Sequence, residues 1–326
     1  MPVHTRPFPT APTISVVICA YTEARWDDLV AAVESCQRQH RAAHEVIVVI
    51  DHNPALLERV ARYVPGVILT ENIEQRGLSG ARNSGLRVAT GDVVAFIDDD
   101  AFSDPGWLAA LASSYEDPAV MASGGTIDPL WERGRPDWFP LEFDWVVGCT
   151  YLGMPDRRAT VRNVIGCNMS FRREVFDEIG GFVHGVGRLG TRPLGGEETE
   201  ICIRAHQRWP DRLIVFEPAA TVHHRVPAAR GTVGYFRSRC YAEGLSKAMV
   251  ARLVGSGDAL ATERGYALRV LGGGVIRELG TAIRWRRLAP AKRAAAIAFG
   301  LVVTTTGFIV GSASIRRGRI AFANER

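Results

Sequence analysis

The feature that most constrains this chain is an alternation within its first hundred residues. Four short runs, TISVVICAY (13–21), HEVIVVIDHN (44–53), GVILTEN (66–72) and DVVAFIDDD (92–100), are separated by stretches of helical character. The runs around Val16, Val48 and Val94 are continuously apolar rather than alternating, as strands covered on both faces must be. Between them lie DDLVAAVESCQRQH (27–40), PALLERVARYV (54–64) and LSGARNSGLRVAT (78–90). The first has carboxylates in its opening turn and cations at its end, and the last is stopped by Gly91. Such an order predicts an α/β fold, a mostly parallel sheet flanked by helices. Ligands of open α/β sheets bind beyond the carboxyl ends of the strands. That rule brings Tyr21 to Glu23, Asp51 and Asp98 to Asp100 around one crevice.

The triple carboxylate of VVAFIDDDAFSDP (93–105) is the strongest chemical signal. Successive strand residues point to opposite faces, so Asp98 and Asp100 are expected to share a direction and Asp99 to face away. Two such carboxylates can hold a hard divalent cation, which in turn grips a diphosphate. A solvated strand end or a turn cap would use the same residues without chemistry. A phosphatase with a DxD nucleophile is a weaker match, because Phe102 stands where a Thr or Val is wanted and three strands precede the motif.

A helix is expected over 104–117, an irregular loop region over 125–165, and a strand running into a short helix over 167–182. An amphipathic helix over 197–209 and a strand, a turn at Pro218 and a second strand over 211–226 follow. Beyond residue 227 the chain becomes basic and apolar. The segment AAAIAFGLVVTTTGFIVGSA (294–313) has no charge, and Arg286, Arg287, Lys292, Arg293, Arg316, Arg317 and Arg319 flank it. Twenty residues at a rise of about 1.5 Å reach roughly the 30 Å of a bilayer core. A crossing helix, an interfacial helix pair and a helix packed within the protein all remain open. With 326 residues, 47% of them hydrophobic, the chain is expected to divide into a tail (1–12), a main α/β domain (13–226) and a helical C-terminal region (227–326). A net charge of +4 gives no reason to expect a nucleic-acid partner. The six cysteines form no CxxC and read as buried free thiols, and residues 1–12 lack the apolar core of a signal peptide.

SVVICAYTEA, VIVVIDHN, RGLSGARNSGLRVATGDVVAFIDDD, GCNMSFRREVFDEIGGF and GGEETEICIR occur in that order over residues 13–226. Together they resemble a family-two glycosyltransferase with the GT-A fold. The resemblance implies an inverting, hexosyltransferase-class enzyme of cell-envelope polysaccharide or glycolipid synthesis, dependent on Mn2+ or Mg2+. Its donor would be a nucleotide sugar, a UDP-sugar by default, and its acceptor a lipid-linked or glycan hydroxyl near a membrane. The catalytic domain would then sit on the cytoplasmic face, where nucleotide sugars are made. By the same resemblance, Tyr21, Glu23, Asp51, Arg82, Asp98 and Asp99 belong to the donor site, and Asp100 to the metal. His223 or His224 of TVHHRV would complete the metal shell, with His223 preferred. Asn168 and Arg172 match acceptor-side positions. The segment GGEETE departs from the family's Gly-Glu-Asp, so Glu198 takes the place of the base and Glu197 stays a candidate. Acids at a helix N-terminus are also favoured for dipole reasons alone. Arg237, Arg239 and Lys247 could reach a diphosphate or an anionic headgroup. Trp131, Trp138 and Trp145 are expected to stack on ligand or to anchor their loop. A non-catalytic binding module of the same fold draws support only from the Glu-for-Asp change. A nucleotidyltransferase would want a basic Gly-rich loop, which CAYTEARW lacks.

Overall fold

The computed structural model describes residues 12–185, 195–255 and 266–317. The four expected strands form as β1 (Ile14–Ala20), β2 (Glu45–Ile50), β3 (Ile68–Glu71) and β4 (Val93–Asp98). Between them run α1 (Trp26–Gln37), α2 (Pro54–Tyr63) and α3 (Leu78–Val88). Asn53 caps α2 through Leu56 N, with Pro54 at the first turn, where its missing N–H costs nothing. These strands pair in parallel in the order β3-β2-β1-β4. The register sets Ala20 beside Ile50 and Cys19 beside Asp98. Three strands therefore end together, and the residues that follow them share one edge of the sheet. A Cβ on Gly85 would stand 2.5 Å from Val17 Cγ1, so glycine is what lets α3 lie directly on β1.

The second half of the sheet is mixed rather than mostly parallel. It contains β5 (Ala101–Ser103), β6 (Val120–Trp131), β7 (Ala159–Thr160), β8 (Asn168–Arg172) and β9 (Leu213–Val226). The order continues β4-β8-β6-β9-β5, with β7 also on β9. Strand β8 is antiparallel to both β4 and β6. Residues 125–131, expected as loop, continue β6, and β9 runs unbroken through Pro218, with the irregularity taken up as a register shift against β6. Helices α4 (Trp107–Ser114), α5 (Arg173–Ile179) and α6 (Glu197–Arg208) flank the sheet. Val16, Ile18, Val48 and Ile50 pack on one face and Val17, Val49, Phe96 and Phe171 on the other. Each fully buried side chain of this kind is worth about 1.5–3 kcal/mol.

The C-terminal region supplies α7 (Val233–Val254), a π-helical turn (Tyr266–Leu271), α8 (Gly272–Trp285) and α9 (Leu288–Arg316). Helix α9 is the one helix among the described residues long and apolar enough to cross a membrane. It lies against α7 at glycine contacts: a Cβ on Gly244 would fall 2.1 Å from Thr304 O, and one on Gly307 2.2 Å from Tyr241 O. A Cβ on Gly300 would meet the ring of Phe143. One side of α9 is thus packed into the protein, while Phe299, Val302, Ile309 and Val310 face outward. The N-terminal tail falls almost entirely outside the described residues.

Candidate active site

The edge shared by β1, β2 and β4 opens into a crevice of about 1500 Å³, closed on its far side by α7, α9 and the turn before α8. Asp98, Asp99 and Asp100 all line it. Strand β4 ends at Asp98 and the chain turns at Asp99 and Asp100, so strict alternation stops where the motif begins. Asp99 does not point to the opposite face. It accepts a hydrogen bond from Arg25 Nη1 at 2.7 Å, while its Oδ2 is buried and finds no partner among the described residues. Asp100 meets Arg25 Nη1, Arg230 Nη2 and His224 Nε2, each at 3.2 Å. Burial raises Asp99 to about 7 against the pull of Arg25, with the Asp100 charge adding to the rise. Burial works against ionised Asp100 too, but His224, Arg25 and Arg230 outweigh it and hold that carboxyl well below the carboxylate range. Asp98 is left one-third exposed to the crevice, 3.5 Å from Arg82 Nη2.

On the neighbouring wall, α6 starts at Gly196, whose φ of 98° needs glycine. Its first two residues divide their labour. Glu197 is buried and accepts a 2.8 Å hydrogen bond from Arg82 Nη1. Glu198 lines the crevice. Burial, then the charges of Glu197 and Glu243, push its carboxyl up to about 8. A carboxyl poised near neutrality beside a cleft suits general acid–base work. Arg82 also donates to Gly166 O at 3.0 Å, so it fastens α3 to α6 and to the segment before β8. Replacing Arg82 with Met leaves Glu197 buried without its counter-charge. A loss of about 3–5 kcal/mol in denaturant unfolding is expected, and Arg82→Met with Glu197→Leu should recover most of it.

A cation could be held here. Donor atoms of Asp98, Cys167 and His224 lie within 4.8 Å of one another. Burial pushes the Cys167 thiol well above its ordinary value, so it stays protonated and suits a hard cation poorly. Asp98 and His224 are the members of that group better suited to Mn2+ or Mg2+, and Asp100 stands beside His224, 3.2 Å from its Nε2.

The profile of Glycosyl transferase family 2 matches residues 15–180. Over 238 residues the chain is 37% identical to the glucosyl-dolichyl phosphate glucuronosyltransferase of Haloferax volcanii, covering 72% of this chain and 76% of that protein. The chain is a family 2 glycosyltransferase. A second relative is the succinoglycan biosynthesis protein ExoM of Rhizobium meliloti, 26% identical over 71% of this glycosyltransferase and 72% of ExoM. Solved structures confirm the GT-A fold. The mannosyltransferase PcManGT of Pyrobaculum calidifontis, in complex with GDP-Man and Mn2+, superposes with a TM-score of 0.56 at 20% identity, covering 93% and 90% of the two chains. GalNAc-T7 with UDP, GalNAc and Mn2+ superposes with a TM-score of 0.52 at 21% identity, covering 72% of this glycosyltransferase and 48% of that chain.

Several expected positions of the glycosyltransferase fall elsewhere. Tyr21 and Asp51 line the crevice, but both oxygens of Asp51 are engaged, Oδ1 by Asn72 Nδ2 at 2.6 Å and Oδ2 by Gly77 N at 3.0 Å. Glu23 lies outside it, at the surface, 3.5 Å from Arg59 Nη1. His223 also points away: its Nε2 meets Asp104 Oδ1 at 2.8 Å and its ring stacks on Phe102. His224 is the inward histidine, because β5 pairs it with Ala101, the residue after the triple aspartate. Asn168 and Arg172 are buried braces, not acceptor contacts. Asn168 accepts from Trp107 Nε1 and donates to Thr126 O and Ala220 O. Arg172 donates to Val120 O, Tyr115 O and Asp117 O. Trp131, at the end of β6, and Trp138, in the segment after it, both pack on Phe139. Trp145 packs on Phe143 and also lines the crevice. Sequence reading missed Arg25 and Arg230, although three adjacent acids demand counter-charges from somewhere. The six cysteines are free, as expected.

Proposed function

We propose that the enzyme is a metal-dependent inverting glycosyltransferase. It moves a sugar from a nucleoside diphosphate donor, a UDP-sugar first, to a hydroxyl of a lipid-linked or membrane-proximal acceptor. The observation that carries this reading is that Glu198 lines the same crevice as the triple aspartate. Ligands in the solved neighbours, GDP-Man with Mn2+ and UDP with Mn2+, support the donor class. The dolichyl phosphate in the name of the 37% identical relative supports the acceptor class.

Asp98, Asp100 and His224 would hold the divalent cation, which when bound neutralises charge growing on the departing diphosphate. Tyr21 and Asp51 bound the nucleoside end, and Arg25 and Arg230 add cations where the diphosphate lies. Glu198 takes the proton from the acceptor hydroxyl. The acceptor oxygen attacks the anomeric carbon on the face opposite the diphosphate. One displacement inverts that carbon, and no covalent sugar–enzyme intermediate forms. Glu197 is the positioning residue, fixed by Arg82. The exposed apolar faces of α8 and α9 support a membrane-associated enzyme, whose crevice would open to the cytoplasm, where nucleotide sugars are made. Thermal-shift measurement across UDP- and GDP-sugars, with and without Mn2+, tests the reading. Stabilisation by one nucleotide sugar, larger with metal, is expected, together with slow hydrolysis of that donor. No stabilisation and no hydrolysis with any of them would overturn it.

A further inference from the structure

The triple aspartate already has a cation of its own. Arg25 closes the three-residue turn Glu23–Arg25 after β1 and lies on the crevice wall. Its Nη1 reaches two carboxylates at once, Asp99 Oδ1 at 2.7 Å and Asp100 Oδ2 at 3.2 Å. Both oxygens of Asp100 are engaged, because Oδ2 also meets Arg230 Nη2 and Oδ1 lies 3.2 Å from His224 Nε2. A divalent cation on Asp100 would stand beside two guanidinium groups. Like charges so close repel strongly where water is excluded, so one of the two arginines has to give way.

Arg230 is the more enclosed, with 11% of its side chain exposed against 20% for Arg25, and its Nη1 is also 3.3 Å from His224 Nε2. Arg25 holds Asp100 by the longer of its two contacts and has somewhere to go. Asp99 is 3% exposed, and its Oδ2 is buried with no partner among the described residues. A buried carboxylate oxygen is ordinarily paired. A guanidinium that left Asp100 could pair with both oxygens of Asp99, the forked geometry that arginine favours. The ring of Tyr21, 5.6 Å from the Arg25 guanidinium carbon, adds an attraction that does not depend on Asp100.

We propose that Arg25 is a built-in competitor of the metal: it neutralises Asp100 while the cation is absent and shifts wholly to Asp99 when the cation binds. The proposal rests on the reading of Asp100 as a cation ligand. Asp99 is then a positioning residue, which sets metal affinity by giving Arg25 its second place. A cation arriving alone meets a carboxylate already neutralised, whereas one arriving with a diphosphate brings anionic oxygens that offset the guanidinium.

The test measures binding of Mn2+ alone by electron paramagnetic resonance, using the full chain in detergent without nucleotide. Arg25→Gln is expected to tighten Mn2+ by about tenfold, within the range of couplings between sites, a gain that general damage to the fold would not produce. Asp99→Asn leaves Arg25 only Asp100 and should weaken Mn2+ by a similar factor. In the Arg25→Gln background the same Asp99→Asn change should weaken it far less, because no guanidinium has to be moved. Arg25→Lys serves if Arg25→Gln does not fold: the shorter side chain keeps the nearer Asp99, and Mn2+ binding should still tighten, by a smaller factor. Unchanged or weaker Mn2+ binding in the Arg25 variants, or an equal loss from Asp99→Asn with and without Arg25, would overturn the proposal. Failure of the wild-type chain to bind Mn2+ even with UDP or GDP present would instead overturn the metal assignment beneath it.

Discussion

Glu198→Gln is expected to lower kcat by about 10²–10⁴-fold, the contribution of a positioned proton acceptor, while donor binding by thermal shift is unchanged. The wild-type profile of kcat/KM should rise with pH and level off near pH 8, where Glu198 ionises, and the variant should lose that limb. Stability should move the other way. The folded enzyme holds this proton from the ordinary carboxyl pKa of 4.5 up to about 8, so across that window the native state binds more protons than the unfolded one. The contribution of Glu198 to stability therefore falls as pH rises. Removing the carboxyl should leave the variant as stable as wild type below pH 4.5, and more stable at pH 8 and above. Glu197→Gln keeps a polar partner for Arg82 and should retain transfer. A dead but folded Glu197→Gln beside an active Glu198→Gln would reverse the two roles.

The second large effect separates two aspartates that sequence alone treats as a pair. Asp98 is partly exposed and, among the described residues, pairs with Arg82 at 3.5 Å, whereas Asp100 is buried among Arg25, Arg230 and His224. Asp98→Asn is expected to abolish metal-dependent stabilisation by the donor and to leave the apo melting curve within about 0.5 kcal/mol of wild type, as at exposed positions. Asp100→Asn should lose the same donor response and also about 3–5 kcal/mol of stability, because the buried Arg230 and His224 lose their carboxylate, while Arg25 keeps Asp99. That second loss should grow smaller as the pH falls far below the usual carboxylate range, since only there is wild-type Asp100 protonated. Equal stability losses for the two variants would contradict the assignment of Asp100 as the structural centre of the motif.

These two carboxylates also mark how far the sequence could be read. The parallel half of the sheet was legible, because strands covered on both faces must be written as unbroken apolar runs, and β1, β2 and β4 are. The crevice followed from where those runs end. What lies beyond a strand end was not legible. Alternation predicted that Asp99 would turn away, but the chain bends after Asp98, and a bend obeys the pull of Arg25 rather than a period of two. For the histidines, alternation says that one of two faces inward. Choosing His224 needs the register of β9 on β5, which is a long-range pairing. Asn168 and Arg172 sit in a motif-like stretch, yet their polar groups satisfy backbone carbonyls between strands. A sequence motif does not distinguish a polar brace from a ligand contact. Arg25 and Arg230 lie 74 and 130 residues from the acids they neutralise, with no local pattern to announce them.

The seating of α9 against α7 and the Phe143 ring bears on how this enzyme can be handled. It is tempting to make a soluble version by ending the chain after β9, since the family profile stops well before it. Phe139, Phe143 and Phe236 share one aromatic cluster, and Gly300 of α9 fits against Phe143. Shortening the chain there would expose aromatic core and remove one wall of the crevice, yielding an aggregating protein rather than a minimal enzyme. Solubility is better sought from the outside. Ile276, Ile283 and Leu288 are each at least three-quarters exposed and contribute no contact to the crevice. Polar residues at those three positions should reduce the exposed apolar surface while leaving every wall of the crevice in place.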